Sequence, residues 1–255
     1  MRIIVIYKWA ANPQEAAVGP DGKVDWSRAT ATISEYDPTA IELGRQLANR
    51  LGAELIGLSL GTGAAAPMAR KSALSRGLDK LYLVPDPEGT ADATTTGLLL
   101  AAAIRQIGDV DLVLAGDASV DNGAQLVPAV VAGALGWPAV SQVSAIDGPT
   151  GALEVTRNHL GGTQRLALAQ ATVVSIAPDA VTPRVPGMKE ILGAGKKPSE
   201  VLALDSLEVA LPEPVAVLAT SRPQLAARKQ QKVDGTDAAQ AAATVVGELR
   251  AAGVL

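Results

Sequence analysis

The chain has 255 residues, a formal net charge of −4 and no cysteine. That length can bury a large core, as one big domain or one domain with extensions. The missing cysteines exclude disulfides, thiolate metal sites, Cys-ligated iron–sulfur clusters and cysteine nucleophiles, and the mild acidity argues against a general nucleic-acid binder.

There is no phenylalanine and aromatics make up 2% of the chain, so the core must come from Val, Leu, Ile and Ala. No apolar run reaches the roughly 18 residues of a membrane span, so no membrane insertion is expected. Residues 1–7 are too short for a signal-peptide core and Lys8 ends them, which points to a cytoplasmic protein.

Residues 3–7 read as a first strand. Asp37 then reads as an N-cap with Pro38 at the first helical position. Ile41, Leu47 and Leu51 recur near helical spacing, and Gly52 suits the C-cap. Residues 55–60 form a second strand, ending at Gly61 and Gly63. A helix over 65–76 stops at Gly77, and 81–84 is a third strand. Asp92 can cap a helix running to Ile107, and the apolar run 111–115 reads as a buried parallel strand. Such alternation predicts the α/β class: a Rossmann-like, doubly wound parallel sheet, with ligands at the carboxyl ends of its strands.

Residues 116–138 (GDASVDNGAQLVPAVVAGALGWP) are the most informative stretch. A small polar turn, 117–123, joins the strand to a helix-like apolar segment. Small residues let a ligand approach the backbone. The N–H groups and dipole of a helix start favour an anion. The alternative is an ordinary strand-to-helix turn with a capping aspartate.

Beyond Pro138 the pattern changes. The runs 140–146, 153–158, 165–168 and 172–176 read as strands of an antiparallel extension, with turns at 148–151 and at Gly161 and Gly162. Residues 178–198 carry too much Pro and Gly for a long element and read as a surface loop with one short helix. Residues 213–235, rich in Pro, Gln, Lys and Arg, read as an arm, and 237–252 as an alanine-rich terminal helix. The expected organisation is a nucleotide-binding domain over 1–212 and a C-terminal arm and helix over 213–255.

Catalytic constellations are sparse. His159 is the only histidine, at a strand end, and reads as a surface residue. A Ser-His-Asp triad would have to use it, and no nucleophile elbow accompanies it. Asp111, Asp117 and Asp121 suggest magnesium, but Asp111 reads as a strand start and Asp121 as a capping or loop-ordering residue. Lys196 with Lys197, and Arg228 and Lys229 with Lys232, are either solvated surface or contacts to a protein partner.

Gly116, Asp121, Gln125 and a helix ending in Trp137 and Pro138 resemble the nucleotide loop of the electron transfer flavoprotein beta subunit family. The likeness spans nearly the whole chain and is closest to the Fix-type branch. It rests also on 3–8 (IIVIYK), 33–42 (ISEYDPTAIE), 73–79 (ALSRGLD), 183–198 (PRVPGMKEILGAGKKP) and, more weakly, 247–255. The resemblance implies a heterodimer with an alpha subunit that carries the redox-active FAD. The beta subunit would hold AMP, or a second FAD in electron-bifurcating members, and have no catalytic role of its own. It would serve dehydrogenase or quinone-reductase-type redox partners.

Carried over by position, the cofactor-binding residues would be Ile6; Ser34, Glu35, Tyr36 and Asp37; Leu60; and Gly116, Asp117, Ala118, Ser119, Val120, Asp121, Asn122, Gly123, Ala124, Gln125, Leu126 and Val127. Ser34 stands where the family usually has Asn, and Leu126 where it has Gln, with Gln125 adjacent. Asn158, His159 and Leu160 replace acidic residues before the Gly161–Gly162 turn. The loop 184–197 matches the family's recognition loop, with Met188 in place of an anchoring leucine, and methionine adapts well to partner pockets. An adenine-nucleotide-binding sensor or enzyme on the same scaffold is the alternative. Such an enzyme should show an SGGxDS-like loop or a placed catalytic His or Lys, and the sequence shows neither.

Overall fold

Four consecutive branched apolar residues, Ile3, Ile4, Val5 and Ile6, make β1 (Arg2–Ile6) a strand buried on both faces. That is the signature of a parallel sheet covered by helices. The computed structural model describes residues 1–255 apart from 87, 88, 90, 214, 217, 220–223 and 226. The expected arm, 213–235, therefore lies partly outside the described residues. The chain divides into two units, Met1–Leu218 and Ala219–Leu255.

In chain order, β1 is followed by β2 (Trp9–Ala11), β3 (Ala17–Val18), β4 (Val24–Asp25), β5 (Ala31–Ile33), α1 (Asp37–Leu51) and β6 (Glu54–Leu60). Next come α2 (Pro67–Ser75), β7 (Lys80–Val84), α3 (Ala93–Ile107), β8 (Leu112–Gly116) and α4 (Val127–Leu135). The first unit continues with β9 (Ala139–Asp147), β10 (Leu153–His159), β11 (Gly162–Leu168), β12 (Thr172–Ile176), α5 (Met188–Ala194) and β13 (Ser199–Val201). The second unit contains α6 (Ala238–Ala251), capped by Asp237.

A nine-stranded sheet of order β11-β10-β9-β12-β8-β1-β6-β7-β13 forms the frame, consistent with an α/β Rossmann-like fold. All neighbours are parallel except β9–β10 and β10–β11. This corrects one expectation: residues 172–176 do not join the antiparallel extension. β12 returns into the sheet and lies parallel between β8 and β9. Its five residues are all buried, as a central parallel strand requires, whereas six of the seven residues of edge strand β11 are exposed. Residues 9–33, given no element from sequence, form two small antiparallel ribbons, β2–β5 and β3–β4.

Two apolar layers sandwich the sheet. Ile3, Val5 and Tyr7 of one face pack in a layer with Ile41 and Leu47 of α1. Ile4 and Ile6 of the other face pack in a layer with Leu99, Leu100 and Ile104 of α3 and Val131 of α4. The alternation follows from the two-residue period of a strand. Helix α1 sits close because Gly44 faces the sheet: a Cβ there would lie 3.1 Å from Val5, Leu55 and Leu114. β6 and β8 flank β1 on opposite sides, so the strand order reverses between β1 and β8. A crevice outside the carboxyl ends of these strands is where such sheets take ligands. Among the described residues, no helix is long and apolar enough to cross a membrane.

Candidate functional site

At the reversal point lies a cavity of about 440 Å³. Its walls include Ile6, Leu60, Ala115 and Gly116 from strand ends, Lys8 and Trp9 after β1, and the loop before α4. Of the residues carried over by resemblance, the structure gathers Ile6, Asp37, Leu60, Gly116, Asp117, Ala118, Ser119, Asp121, Asn122, Ala124, Gln125, Leu126 and Val127 around this space. Ser34, Glu35, Tyr36, Val120 and Gly123 are not among its lining residues. Sequence reasoning missed Lys8, Trp9, Asp86, Thr96 and Pro128, which do line it. Lys8 had a readable cue, being a cation two residues beyond the end of a central parallel strand.

Ser34 shapes the cavity from behind. It is fully buried, its Oγ accepts from Val120 N at 3.0 Å, and its own N–H donates to Lys8 O at 2.9 Å. One serine thus ties the loop after β8 to the chain leaving β1.

Asp37 corrects a second expectation. Tyr36 occupies the N-cap position and makes no side-chain cap, while Asp37 is the first helical residue and Pro38 the second. The Asp37 carboxylate points away from its own helix. Oδ2 accepts from Lys8 N at 2.7 Å, and Gly116 N–H also donates to the carboxylate. A side chain at position 116 would collide with it, since a Cβ there would lie 2.5 Å from Asp37 Oδ1. Glycine is required by that approach. Burial pushes the Asp37 carboxyl up to about 7, against the pull of the two backbone donors and the Lys8 ammonium. Burial and then Asp37 push the neighbouring Tyr7 hydroxyl up as well.

Lys8 Nζ reaches across the mouth to Asp121 Oδ2 at 2.6 Å. Burial raises the Asp121 carboxyl, but hydrogen bonds from Lys8 and Ser119 outweigh it and hold the group below its ordinary value. Asp121 Oδ1 also accepts from Asn122 N at 3.0 Å, so this residue orders the loop and caps no helix. Asp111 lies at the opposite end of β8, where its Oδ2 accepts from Arg2 N at 2.7 Å. Asp111 is therefore not brought to the cavity with Asp117 and Asp121.

Helix α4 begins beside the cavity without a side-chain cap. Leu126 is at the N-cap, and Pro128, in the first turn, has no N–H to satisfy. Among the described lining residues Lys8 is the single cation, against Asp37, Asp86, Asp117 and Asp121. An anion here must therefore rely on backbone N–H groups and the helix start. The lining also carries the apolar side chains of Ile6, Leu60, Leu100 and Val127.

The loop 184–197 is anchored at both ends. Arg184 pairs with Glu42 and with Glu190, and Glu190 Oε2 accepts from Gly187 N at 2.7 Å at the start of α5. Lys197 Nζ donates to Leu74 O at 3.3 Å and Leu78 O at 2.6 Å. It is thus neither freely solvated nor free for a partner, contrary to both sequence readings. Between these anchors Met188, Leu192 and Val185 stand exposed, Met188 at 71%. His159 is exposed at the end of β10.

A strand order that reverses beside β1, with a helix starting at that point, is a feature that many α/β sheets share. The comparison with known families is more specific. A model of the electron transfer flavoprotein domain matches residues 22–207, which include both the loop before α4 and the anchored loop 184–197, and the chain belongs to that family.

Proposed function

We propose that the chain is the beta subunit of a Fix-type electron transfer flavoprotein. It binds AMP or a second FAD in the cavity at the ends of β1 and β8 and pairs with an alpha subunit that carries the redox-active FAD. The flavin supplies the electron chemistry, and this chain supplies the nucleotide site and a docking loop. The observation that supports this most is the cavity itself, which lies at the strand-order reversal and is bounded by the uncapped start of α4. In this reading the phosphate lies against the amides of 124–127, since Gly123 N–H already donates to Ser119 O at 2.8 Å, and Lys8 adds a positive charge nearby. Asp37 and Ser34 hold the two chain segments that frame it. Met188, on its anchored loop, contacts dehydrogenase or quinone-reductase-type partners, and the arm with α6 contacts the alpha subunit.

The test is to denature the purified complex, release its nucleotide and identify it by mass. One AMP or FAD per chain, beyond the FAD of the alpha subunit, is expected. Gly123→Val should lower that occupancy, because φ there is +60°, a conformation a β-branched residue resists. No nucleotide in the wild-type complex would overturn the reading.

A further inference from the structure

Asp117 follows Gly116 at the end of β8 and is only 6% exposed. Its carboxylate is held by neutral donors. Gln125 Nε2 and Gln142 Nε2 both donate to Oδ2, at 2.6 and 2.5 Å, and Ser175 Oγ donates to Oδ1 at 3.1 Å. Ser175 Oγ in turn accepts from Gln142 N at 3.4 Å. An ionised carboxylate can only accept, so each amide must turn its nitrogen inward.

Both glutamines have a left-handed backbone, with φ of +55° at Gln125 and +60° at Gln142. Residues with a side chain seldom adopt this conformation unless something holds them there. Gln142 lies where β9 slips register against β12. Gln125 lies in the turn that delivers the chain to α4. Asp117, Gln125 and Pro128 form the wall shared by the nucleotide cavity and a second one of about 270 Å³. Gln142, Ser175 and Asp117 stand on sheet strands or at a strand end, so they are the fixed side of this cluster. Gln125 is on the loop and is the side that can move.

We propose that Asp117 is a positioning residue of the nucleotide site: its carboxylate clamps Gln125 in the left-handed turn that aims the amides of 124–127 at the anion. It acts through Gln125 and does not meet the phosphate, which its own charge would repel. The proposal rests on the reading of 116–127 as a nucleotide loop.

The test is calorimetric titration of the full chain with AMP and with FAD. Asp117→Asn should weaken binding by about tenfold, because a neutral amide oxygen is a weaker acceptor for the two glutamine donors than the carboxylate. Gln125→Gly should lose clearly less binding than Gln125→Ala, since glycine takes this φ unaided. Adding Asp117→Asn to Gln125→Gly should then cost little more. Gln125→Ala lacks the amide but keeps a Cβ, so it should fall by about tenfold where glycine does not. That pair of variants also decides the matter if Asp117→Asn does not fold. Equal binding by the Ala and Gly variants, or the same loss from Asp117→Asn in both backgrounds, would overturn the clamp. A wild-type chain that binds neither AMP nor FAD would overturn the nucleotide reading itself, and the clamp with it.

Discussion

Helices α3 and α6 begin alike and end up differently. Each is built mainly from small and aliphatic residues, 15 in α3 and 14 in α6, and each starts at a capping aspartate. Asp92 accepts from Thr95 N at 2.7 Å, and Asp237 accepts from Ala239 N at 2.9 Å and Gln240 N at 3.1 Å. Helix α3 buries Gly97, Leu99, Leu100, Ala101, Ala102, Ala103 and Ile104, whereas α6 buries none of its residues. The difference teaches that caps and propensity define a helix locally, while burial comes from what the rest of the chain places beside it. Val245, Val246 and Leu249 form a stripe on α6 that α3 would have hidden, each more than a third exposed.

The sharpest way to break this comparison is to truncate one leucine on each helix. Leu100 is 1% exposed, so Leu100→Ala should cost about 2–5 kcal/mol in urea unfolding of the chain. Leu249→Ala should stay within about 0.5 kcal/mol. Comparable losses would mean that α6 is packed in solution and that the contrast is false.

Much of the contrast was legible in the sequence. Asp92, Gly52 and the apolar runs marked the strands and helices of the α/β half because buried parallel strands and capped helices leave strong local signals. Residues 9–33 left none, since their strands are only two or three residues long and largely exposed. The run 172–176 misled because position in a sheet is a tertiary fact; its freedom from polar alternation was the one usable clue. The loop 116–127 stood out in the sequence, but its supports did not. Ser34 meets Val120, and Gln142 meets Asp117, across 86 and 25 residues of chain.

Aspartates at helix starts sharpen the comparison further, through pH. Hydrogen bonds to backbone donors, first from Thr95, hold the Asp92 carboxyl below its ordinary range. Its contribution is present above the unfolded value and fades as pH falls through the folded one. Asp37 at the start of α1 has the opposite sign, because burial raises it to about 7. The folded state then binds more protons than the unfolded state between about pH 4 and 7. Its contribution is full below that window and is lost as pH rises through it, by at most about 1.4 kcal/mol per pH unit. Asp37→Asn removes the titrating group, so the wild-type curve should fall relative to the variant's across that window. Parallel curves would show that Asp37 is ionised throughout.

Met188 should give the smallest stability effect and a kinetic one instead. It stands at the first position of α5, 71% exposed, with Leu192 at 66% one turn further on. A short helix with an apolar outer face should collapse onto its own core if it were free to do so. It is not free, because Arg184 is tied to Glu42 and Glu190, Ala194 is buried, and Lys197 is bonded to the carbonyls of Leu74 and Leu78. Anchors on both sides therefore hold the methionine outward, where a flexible thioether can fit a partner pocket. Small interfaces concentrate their energy in such a residue. Met188→Ala should leave the melting temperature nearly unchanged while slowing electron transfer from the complex to its redox partner. The comparison with Leu100→Ala fixes the scale: a drop in melting temperature of similar size, with normal partner kinetics, would make Met188 a core residue and overturn the proposed docking role.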